Sequence, residues 1–123
     1  MSGPYVASSI PVSAPVNGNG QCVTLVKALT GAPASSLWHE GAAITPLSAA
    51  SLLPGTAIAT FVNGHYPNAP HGNHAAIFVG AVKDGIKVLD QWVGHAPIQR
   101  VIKFNHAPNA GVAQCPEKYS VVL

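Results

Sequence analysis

The second half of the chain consists of short runs of β-branched and aromatic residues, each bounded by turn residues. Runs of this kind are typical of β-strands, and about five of them form a sheet of ordinary size. The predicted strands are residues 56–62, 75–82, 86–92, 98–104 and 119–122. Because Asp84-Gly85 is a hairpin signal between two of these runs, we expect an antiparallel sheet.

One amphipathic helix is predicted ahead of the strands. It begins at Cys22, because apolar residues then recur at the three- and four-residue spacing of one helix face. These residues are Cys22, Leu25, Val26 and Leu29. Gly31 and Pro33 end this helix, and a shorter helical turn is expected at residues 47–52. A helix followed by an antiparallel sheet is an α+β fold.

Length and composition indicate one domain, residues 1–123, in which Pro-rich residues 1–16 form an extended arm. Hydrophobic residues make up 48% of the chain, but no apolar run approaches the roughly 18 residues of a membrane helix, so membrane insertion is not expected. The arm has no Lys, Arg or apolar block, which predicts a chain made in the cytoplasm without a signal peptide. The net charge of +2 is too small to indicate a nucleic-acid partner.

The position of Cys22 favours a nucleophilic thiol. A thiol attacks as the thiolate, which a helix N-terminus stabilises through its unpaired N–H groups and its dipole. Gly20 allows a tight turn before the helix, so that the N–H of Cys22 can face a developing oxyanion. The alternative is a buried structural cysteine, since Cys22 shares its helix face with Leu25. Cys115 lies in a loop sequence, and no disulfide between the two cysteines is expected in a reducing compartment.

His74 is the candidate base, because it follows a polar loop, residues 63–73, and stands at the start of the predicted strand 75–82. An imidazole in that position can take the proton of Cys22 and later give it to a leaving amine. The loop before it is expected to frame a cleft. A surface histidine or a core histidine is the alternative interpretation.

Asp90 is the candidate for orienting His74, because an acidic residue inside a strand is unusual. A two-residue turn at Asp84-Gly85 would place the two residues on opposite sheet faces, whereas a three-residue turn with a bulge would place them on the same face. Even then Asp90 is expected to lie opposite Phe78, so that sheet twist or a bulge must bring it to His74. Gln91 is the alternative orienting residue.

Polar residues near this pair are predicted to contact the oxyanion and the substrate. The N–H of Cys22 and one side chain from the preceding segment are expected to hold the oxyanion. Trp92 is either a core anchor or a wall on which substrate stacks. The candidate residues are Gln21, Asn19, Asn17, Asn73, Gln91 and Trp92. Close Cys or His ligand spacings are absent, His71 and His74 being the nearest approach, so neither a metal nor another cofactor is expected.

Four segments, taken in order, resemble the CHAP and NlpC-type branch of papain-like amidases. They are Gly20-Gln21-Cys22-Val23, Pro54-Gly55-Thr56-Ala57-Ile58-Ala59, Gly72-Asn73-His74-Ala75-Ala76-Ile77 and Val88-Leu89-Asp90-Gln91-Trp92. The resemblance spans residues 17–92 and implies a papain-like fold, in which the helix of Cys22 packs on a sheet that carries His74, with Asp90 as third member. Trp92 stands where CHAP proteins often have an Asn, and the oxyanion glutamine of papain has no match.

The resemblance implies a cysteine hydrolase that cleaves an amide bond in the peptide stem or cross-link of bacterial peptidoglycan. The chain is similar in size to the amidase effectors of the type VI secretion system, in particular their second subfamily. Such proteins are delivered to the periplasm of a target bacterium and are neutralised in kin by a cognate immunity protein. Two alternatives stay open: acyl transfer to an amine or lipid by the same Cys22–His74 pair, and a non-catalytic binding protein with this fold.

Overall fold

The computed structural model describes residues 3–123 and contains two helices packed on a six-stranded antiparallel sheet. The helices and strands are α1 (Cys22–Thr30), β1 (Glu40–Ala43), α2 (Pro46–Ser51), β2 (Ala57–Thr60), β3 (Ala75–Val82), β4 (Gly85–Trp92), β5 (His95–Lys103) and β6 (Tyr119–Val122). The α+β class is confirmed, as are all five predicted strands and the helix that begins at Cys22. Within residues 3–123, the helices are too short or too polar to cross a membrane.

The sheet has the strand order β1-β6-β2-β3-β4-β5. Its sixth strand, β1, was not predicted, because its sequence Glu-Gly-Ala-Ala contains none of the residues that favour strands. β1 forms because it pairs with β6 at the sheet edge, where Glu40 lies opposite Val122. Its formation therefore depends on a strand 80 residues further along the chain, whose Ser120 hydroxyl also donates a hydrogen bond to Glu40.

Both faces of the central strands are buried. On β3, Ala75 and Ile77 belong to one core cluster with Leu25 and Val26 of α1. The alternate residues of β3 point into a second cluster, on the side of α2. The sheet is thus a middle layer, and the near-continuous apolar sequence of β2 and β3 reflects burial on two sides.

The part of the N-terminal arm from Tyr5 to Ala14 lies along the sheet. The carbonyl oxygen of Tyr5 accepts a hydrogen bond from the N–H of Ala57, and the N–H of Ala7 donates to Gly55. Further along, the carbonyl of Val12 accepts from the N–H of Gln99 on β5. The arm therefore protects part of the exposed edge of β5, which would otherwise present unpaired backbone groups.

The β3–β4 turn differs from the predicted one by a single position. Val82 pairs with Gly85, so the two turn residues are Lys83 and Asp84, and Asp84 adopts the left-handed conformation with φ of 59°. Gly85 already belongs to the sheet. A Cβ atom on Gly85 would overlap the carbonyl oxygen of Ile102 on β5, so this glycine permits close strand approach and does not form the turn.

A β-bulge in β3 sets the register that matters for Asp90. The pairing shifts between Phe78 and Gly80, so that Ile77 lies opposite Leu89. If that register is continued, Asp90 lies opposite Ala76. Because Ala76 is two residues from His74 along β3, Asp90 and His74 lie on the same face of the sheet. The expectation that Asp90 lies opposite Phe78 is therefore wrong, and so is the expectation that a shared face requires a three-residue turn.

Candidate active site

The N-terminus of α1 is shaped by a tight turn. Gly20 has a φ of 81°, a conformation that residues with a Cβ rarely adopt. The carboxamide oxygen of Asn19 accepts hydrogen bonds from the N–H of Gln21 at 3.0 Å and from the hydroxyl of Thr24 at 2.7 Å. Cys22, the first residue of the helix, is thereby presented at the helix end where N–H groups lack partners within the helix.

The thiol of Cys22 is surrounded by groups that stabilise a negative charge. The Tyr66 hydroxyl lies 3.6 Å from Sγ and can donate a hydrogen bond to it. Burial opposes ionisation, but the interactions with His74 and Tyr66 outweigh it and lower the pKa of Cys22 below its ordinary value. Tyr66 itself stays protonated, because burial and the neighbouring thiolate raise its pKa.

His74 bridges Cys22 and Asp90. Its Nε2 lies 2.7 Å from Oδ2 of Asp90, which leaves Nδ1 as the nitrogen that can exchange a proton with the thiol. Burial disfavours the imidazolium, yet hydrogen bonds with Asp90 and Cys22 raise the pKa of His74 to about 9. The three residues predicted from the sequence, Cys22, His74 and Asp90, are thus brought together from three different elements. They have the arrangement of a nucleophile, a base and a group that orients the base.

Asp90 has a second partner that the sequence analysis missed. Its side chain is fully buried, and Arg100 of β5 donates to both carboxylate oxygens over 2.8 to 3.1 Å. Burial would raise the pKa of Asp90, but its bonds with His74 and Arg100 lower it. An arginine inside a predicted strand was the available signal for Arg100, since a charge there needs a partner just as Asp90 does.

Gln91 does not orient His74 and does not line the cleft. It lies on the opposite sheet face from Asp90, where its carboxamide accepts from the N–H of Asn17 and donates to the carbonyls of Asn17 and Gln21. Its side chain is fully buried. The prediction of a substrate contact by Gln91 is therefore wrong, because its hydrogen-bonding groups are committed to the chain segment that precedes α1.

A cleft of about 830 Å³ opens over Cys22 and His74. Among the residues that the structure describes, the ionisable side chains of the lining are those of Cys22, Tyr66, His71 and His74. The other polar lining residues are neutral: Asn19, Gln21, Thr24, Ser35, Asn68 and Asn73. The loop of residues 63–73 forms much of this wall, in agreement with the expectation that it frames a cleft.

The remaining candidate residues divide by position. Trp92 lines the cleft and is 38% exposed, in contrast to Trp38, which is buried in the core with Nε1 bonded to the carbonyl of Pro33. Asn73 lines the cleft, but its Nδ2 donates to the carbonyls of Ala69 and His71 and so braces the loop. Asn17 is absent from the lining and contributes its backbone to Gln91.

Cys115 lies apart from this site, and both cysteines are free thiols. Within residues 3–123, His106, Cys115 and Glu117 are close enough together to be considered as metal ligands. Both ring nitrogens of His106 already face oxygen atoms, Nδ1 that of Ala107 at 2.8 Å and Nε2 that of Glu117 at 2.6 Å. These contacts raise the pKa of His106, which suits a protonated imidazolium and not a ligand.

An amphipathic helix with a thiol at its N-terminus, packed on an antiparallel sheet that carries an imidazole and a buried carboxylate, defines a papain-like cysteine amidase. The chain belongs to the domesticated amidase effector 2 family, whose model matches residues 4–115. The resemblance of the sequence to the amidase effectors of the type VI secretion system, and to their second subfamily, is confirmed.

Two relatives are similar over most of the chain. A type VI secretion amidase effector 2 protein of Salmonella typhi is 41% identical over 103 residues, which is 81% of this chain and 76% of that protein. The solved structure of type 6 secretion amidase effector 2 (Tae2) superposes with a TM-score of 0.81 at 34% identity, covering 98% of this chain and 94% of that one.

Proposed function

We propose that this protein is an antibacterial effector that hydrolyses an amide bond in the peptide of bacterial peptidoglycan, with Cys22 as nucleophile, His74 as base and Asp90 as orienting carboxylate. The observation that carries the proposal is the 2.7 Å contact between Asp90 and Nε2 of His74, which leaves the other ring nitrogen for the interaction of His74 with Cys22 at the start of α1. Membership of an amidase effector family supplies the bond type and the biological setting.

The reaction begins from a thiolate–imidazolium pair. His74 holds the proton of Cys22, and Sγ attacks the carbonyl carbon of the amide. The negative charge that develops on the carbonyl oxygen is stabilised by the N–H of Cys22 at the helix N-terminus. Gln21, which precedes Cys22 and lines the cleft, is the residue we propose as a second donor.

Collapse of the tetrahedral intermediate breaks the carbon–nitrogen bond. His74 gives its proton to the leaving amine, and an acyl group remains on Sγ. A water molecule, deprotonated by His74, then attacks the thioester and releases the acid product with the free thiol. Asp90 keeps the same ring nitrogen of His74 occupied throughout, so that proton transfer always runs through Nδ1.

The cleft fits a polar peptide with several charges of both signs. The peptide of peptidoglycan carries amines and carboxylates, and the cleft wall offers carboxamides and hydroxyls, which can donate or accept as the partner demands. Trp92 adds a half-exposed apolar surface at the rim. Within residues 3–123, the lining contains no lysine, arginine or carboxylate side chain, which avoids strong repulsion of either charge.

The biological setting follows from the relatives. Both named relatives are type VI secretion effectors, which supports delivery of this protein into a target cell. We place its action in the periplasm of that cell, where the peptidoglycan lies, after synthesis in the cytoplasm of the producing cell. A cell that makes such an enzyme needs protection from its kin, which supports a cognate immunity protein as partner.

Digestion of purified Gram-negative peptidoglycan tests the proposal. Wild type, Cys22→Ala and the matched control Cys115→Ala are incubated with the polymer, and the soluble fragments are identified by mass spectrometry. We expect new amine and acid termini from wild type and Cys115→Ala, and none from Cys22→Ala. Equal cleavage by Cys22→Ala would overturn the assignment of the nucleophile, and fragments carrying an added amine or lipid would show acyl transfer in place of hydrolysis.

A further inference from the structure

Arg100 directs two of its three guanidinium nitrogens at the carboxylate of Asp90. Its Nε donates to Oδ1 at 3.1 Å and to Oδ2 at 3.0 Å, and one terminal nitrogen donates to Oδ2 at 2.8 Å. That same oxygen, Oδ2, is the atom that contacts His74. Asp90 thus has two cationic neighbours, of which only His74 reaches the thiol.

The guanidinium group is itself held in place. It donates to the carbonyl of Ala113 at 3.2 Å and to the side chain of Gln114 at 2.8 Å. Its central carbon lies 5.3 Å from the ring centroid of Trp92. Because these contacts fix the planar guanidinium on three sides, it binds the carboxylate in one orientation. A flexible lysine would not constrain the carboxylate in this way.

We propose that Arg100 is a positioning residue for the reaction, which keeps Asp90 ionised and directed at Nε2 of His74 and so maintains the reactive thiolate of Cys22. The inference deepens the proposed function and rests on the roles given there to Cys22 and His74. It adds a residue from β5 that lines no part of the cleft.

The physical reason is the depth of Asp90. A fully buried carboxylate with a single imidazole partner can either take up a proton or rotate away, and both remove the anion that stabilises the imidazolium. The fork of Arg100 opposes both changes, because it neutralises the charge and constrains the carboxylate plane. With Asp90 held as an anion, His74 retains the proton that Cys22 has given up.

The ionisable groups around Cys22 and Asp90 determine what the pH midpoint of thiolate formation reports. Cys22 faces His74 and Tyr66, whereas Asp90 faces His74, Arg100 and, electrostatically, Tyr119. Burial raises the pKa of Tyr66 and of Tyr119, so both phenols stay neutral across the working range. The midpoint of thiolate formation therefore reports the coupled Cys22–His74–Asp90 system.

The experiment measures the rate of alkylation of Cys22 by iodoacetamide from about pH 5 to about pH 10, with peptide mapping to separate it from Cys115. The variants are Arg100→Met, Arg100→Lys and, as a matched control on the same strand, Lys103→Met, whose ammonium donates to the Lys83 carbonyl. Peptidoglycan cleavage is measured in parallel. Circular dichroism and unfolding establish which variants are folded.

We expect Arg100→Met to raise the pH midpoint for Cys22 by about one unit. We also expect it to lower kcat about 10- to 100-fold at little-changed KM, the same size of loss that follows removal of the orienting partner of a metal-binding histidine. Arg100→Lys should lie between it and wild type, and Lys103→Met should match wild type. Should Arg100→Met not fold, the Arg100→Lys midpoint decides, and it is expected above that of wild type.

A wild-type midpoint and wild-type kcat in the folded Arg100 variants would overturn the role of Arg100 and leave the proposed function intact. An ordinary thiol midpoint, about 8.5, in wild type itself would instead overturn the proposed function, and the role of Arg100 with it.

Discussion

The side-chain carboxamide of Gln91 forms two hydrogen bonds with the backbone of Asn17, 74 residues earlier in the chain. Together with a third bond to the carbonyl of Gln21, these contacts tie β4 to the segment that leads into α1. Asp90, the preceding residue, points to the other face and contacts His74. Two consecutive residues of one strand thus fix the positions of the thiol-bearing helix and of the imidazole.

Gln91→Leu should destabilise the protein and reduce its activity. The substitution leaves the N–H of Asn17 without its partner and removes one hydrogen bond from each of the carbonyls of Asn17 and Gln21, which still accept from the N–H groups of Gly20 and Thr24. The expected cost is about 2 to 4 kcal/mol in the free energy of unfolding. Urea denaturation measures the change. Gln99→Leu is the matched control, because its carboxamide donates one bond, to Pro11, and its loss should cost about 1 kcal/mol. Equal losses would contradict the special role of Gln91.

Asp90→Asn should lower kcat by roughly 10²- to 10⁴-fold while preserving the fold well enough for assay. The carboxamide keeps the size of the carboxylate but cannot stabilise the imidazolium of His74 with a negative charge. Steady-state cleavage of peptidoglycan fragments measures the effect. Asp84→Asn, at an exposed turn position that Asn tolerates, should behave as wild type. A fully active Asp90→Asn variant would remove Asp90 from the site.

Tyr66→Phe should raise the pKa of Cys22 without unfolding the protein. The ring remains to pack on Trp38, whose centroid lies 5.2 Å away, and only the hydroxyl beside Sγ is lost. A bond to a charged group contributes about 1.5 to 3 kcal/mol, so thiolate formation at neutral pH should fall about 10-fold or more. Alkylation kinetics measure this, with Cys115 in the same sample as internal control. An unchanged rate would show that the phenol does not stabilise the thiolate.

The activity should have a bell-shaped dependence on pH. The pKa of Cys22 is lowered, mainly by His74 against the effect of burial, and that of His74 is raised to about 9. The thiolate–imidazolium pair therefore exists between these two values, and kcat/KM should fall as the pH rises through about 9, when the imidazolium loses the proton needed by the leaving amine.

The same shift of His74 affects stability. Because its pKa in the folded state is above its ordinary 6.5, protonation of His74 stabilises the fold in full below about pH 6.5, and this contribution is lost as the pH rises through about 9. Urea unfolding of wild type and His74→Ala along the pH range tests this, since the stability difference should shrink at alkaline pH. If activity fell as the pH rose through about 7, and not through about 9, both the expected pH profile and the expected loss of stability would be wrong.

Gly85→Ala should destabilise the sheet by about 1 to 3 kcal/mol, because its Cβ would overlap the carbonyl oxygen of Ile102 on the paired strand. Gly80→Ala is a matched control in the same hairpin, since nothing lies within 4 Å of a Cβ there. Thermal unfolding of both variants distinguishes a local packing requirement from a general loss of backbone flexibility. Equal changes in the two melting temperatures would contradict the close approach.

Local features of the sequence were sufficient to predict most of the fold and the three central residues of the candidate site. The helical spacing that begins at Cys22 and the apolar runs of β3 and β6 depend on residues a few positions apart, so they are readable without the structure. β1 was missed because its residues have little strand preference and it forms only by pairing with β6.

The sequence by itself thus determined which residue types could do the chemistry, through Cys22 at a helix start, His74 at a strand start and Asp90 inside a strand. Only the tertiary structure decided how they meet. The bulge adds one residue to β3 and so shifts the pairing of β3 with β4 by one position. As a result, Asp90 lies beside His74, and Gln91 points towards Asn17. An arginine inside a strand signals that Arg100 needs a partner, but only the contacts across strands and loops show that Arg100 and Tyr66 belong to the site.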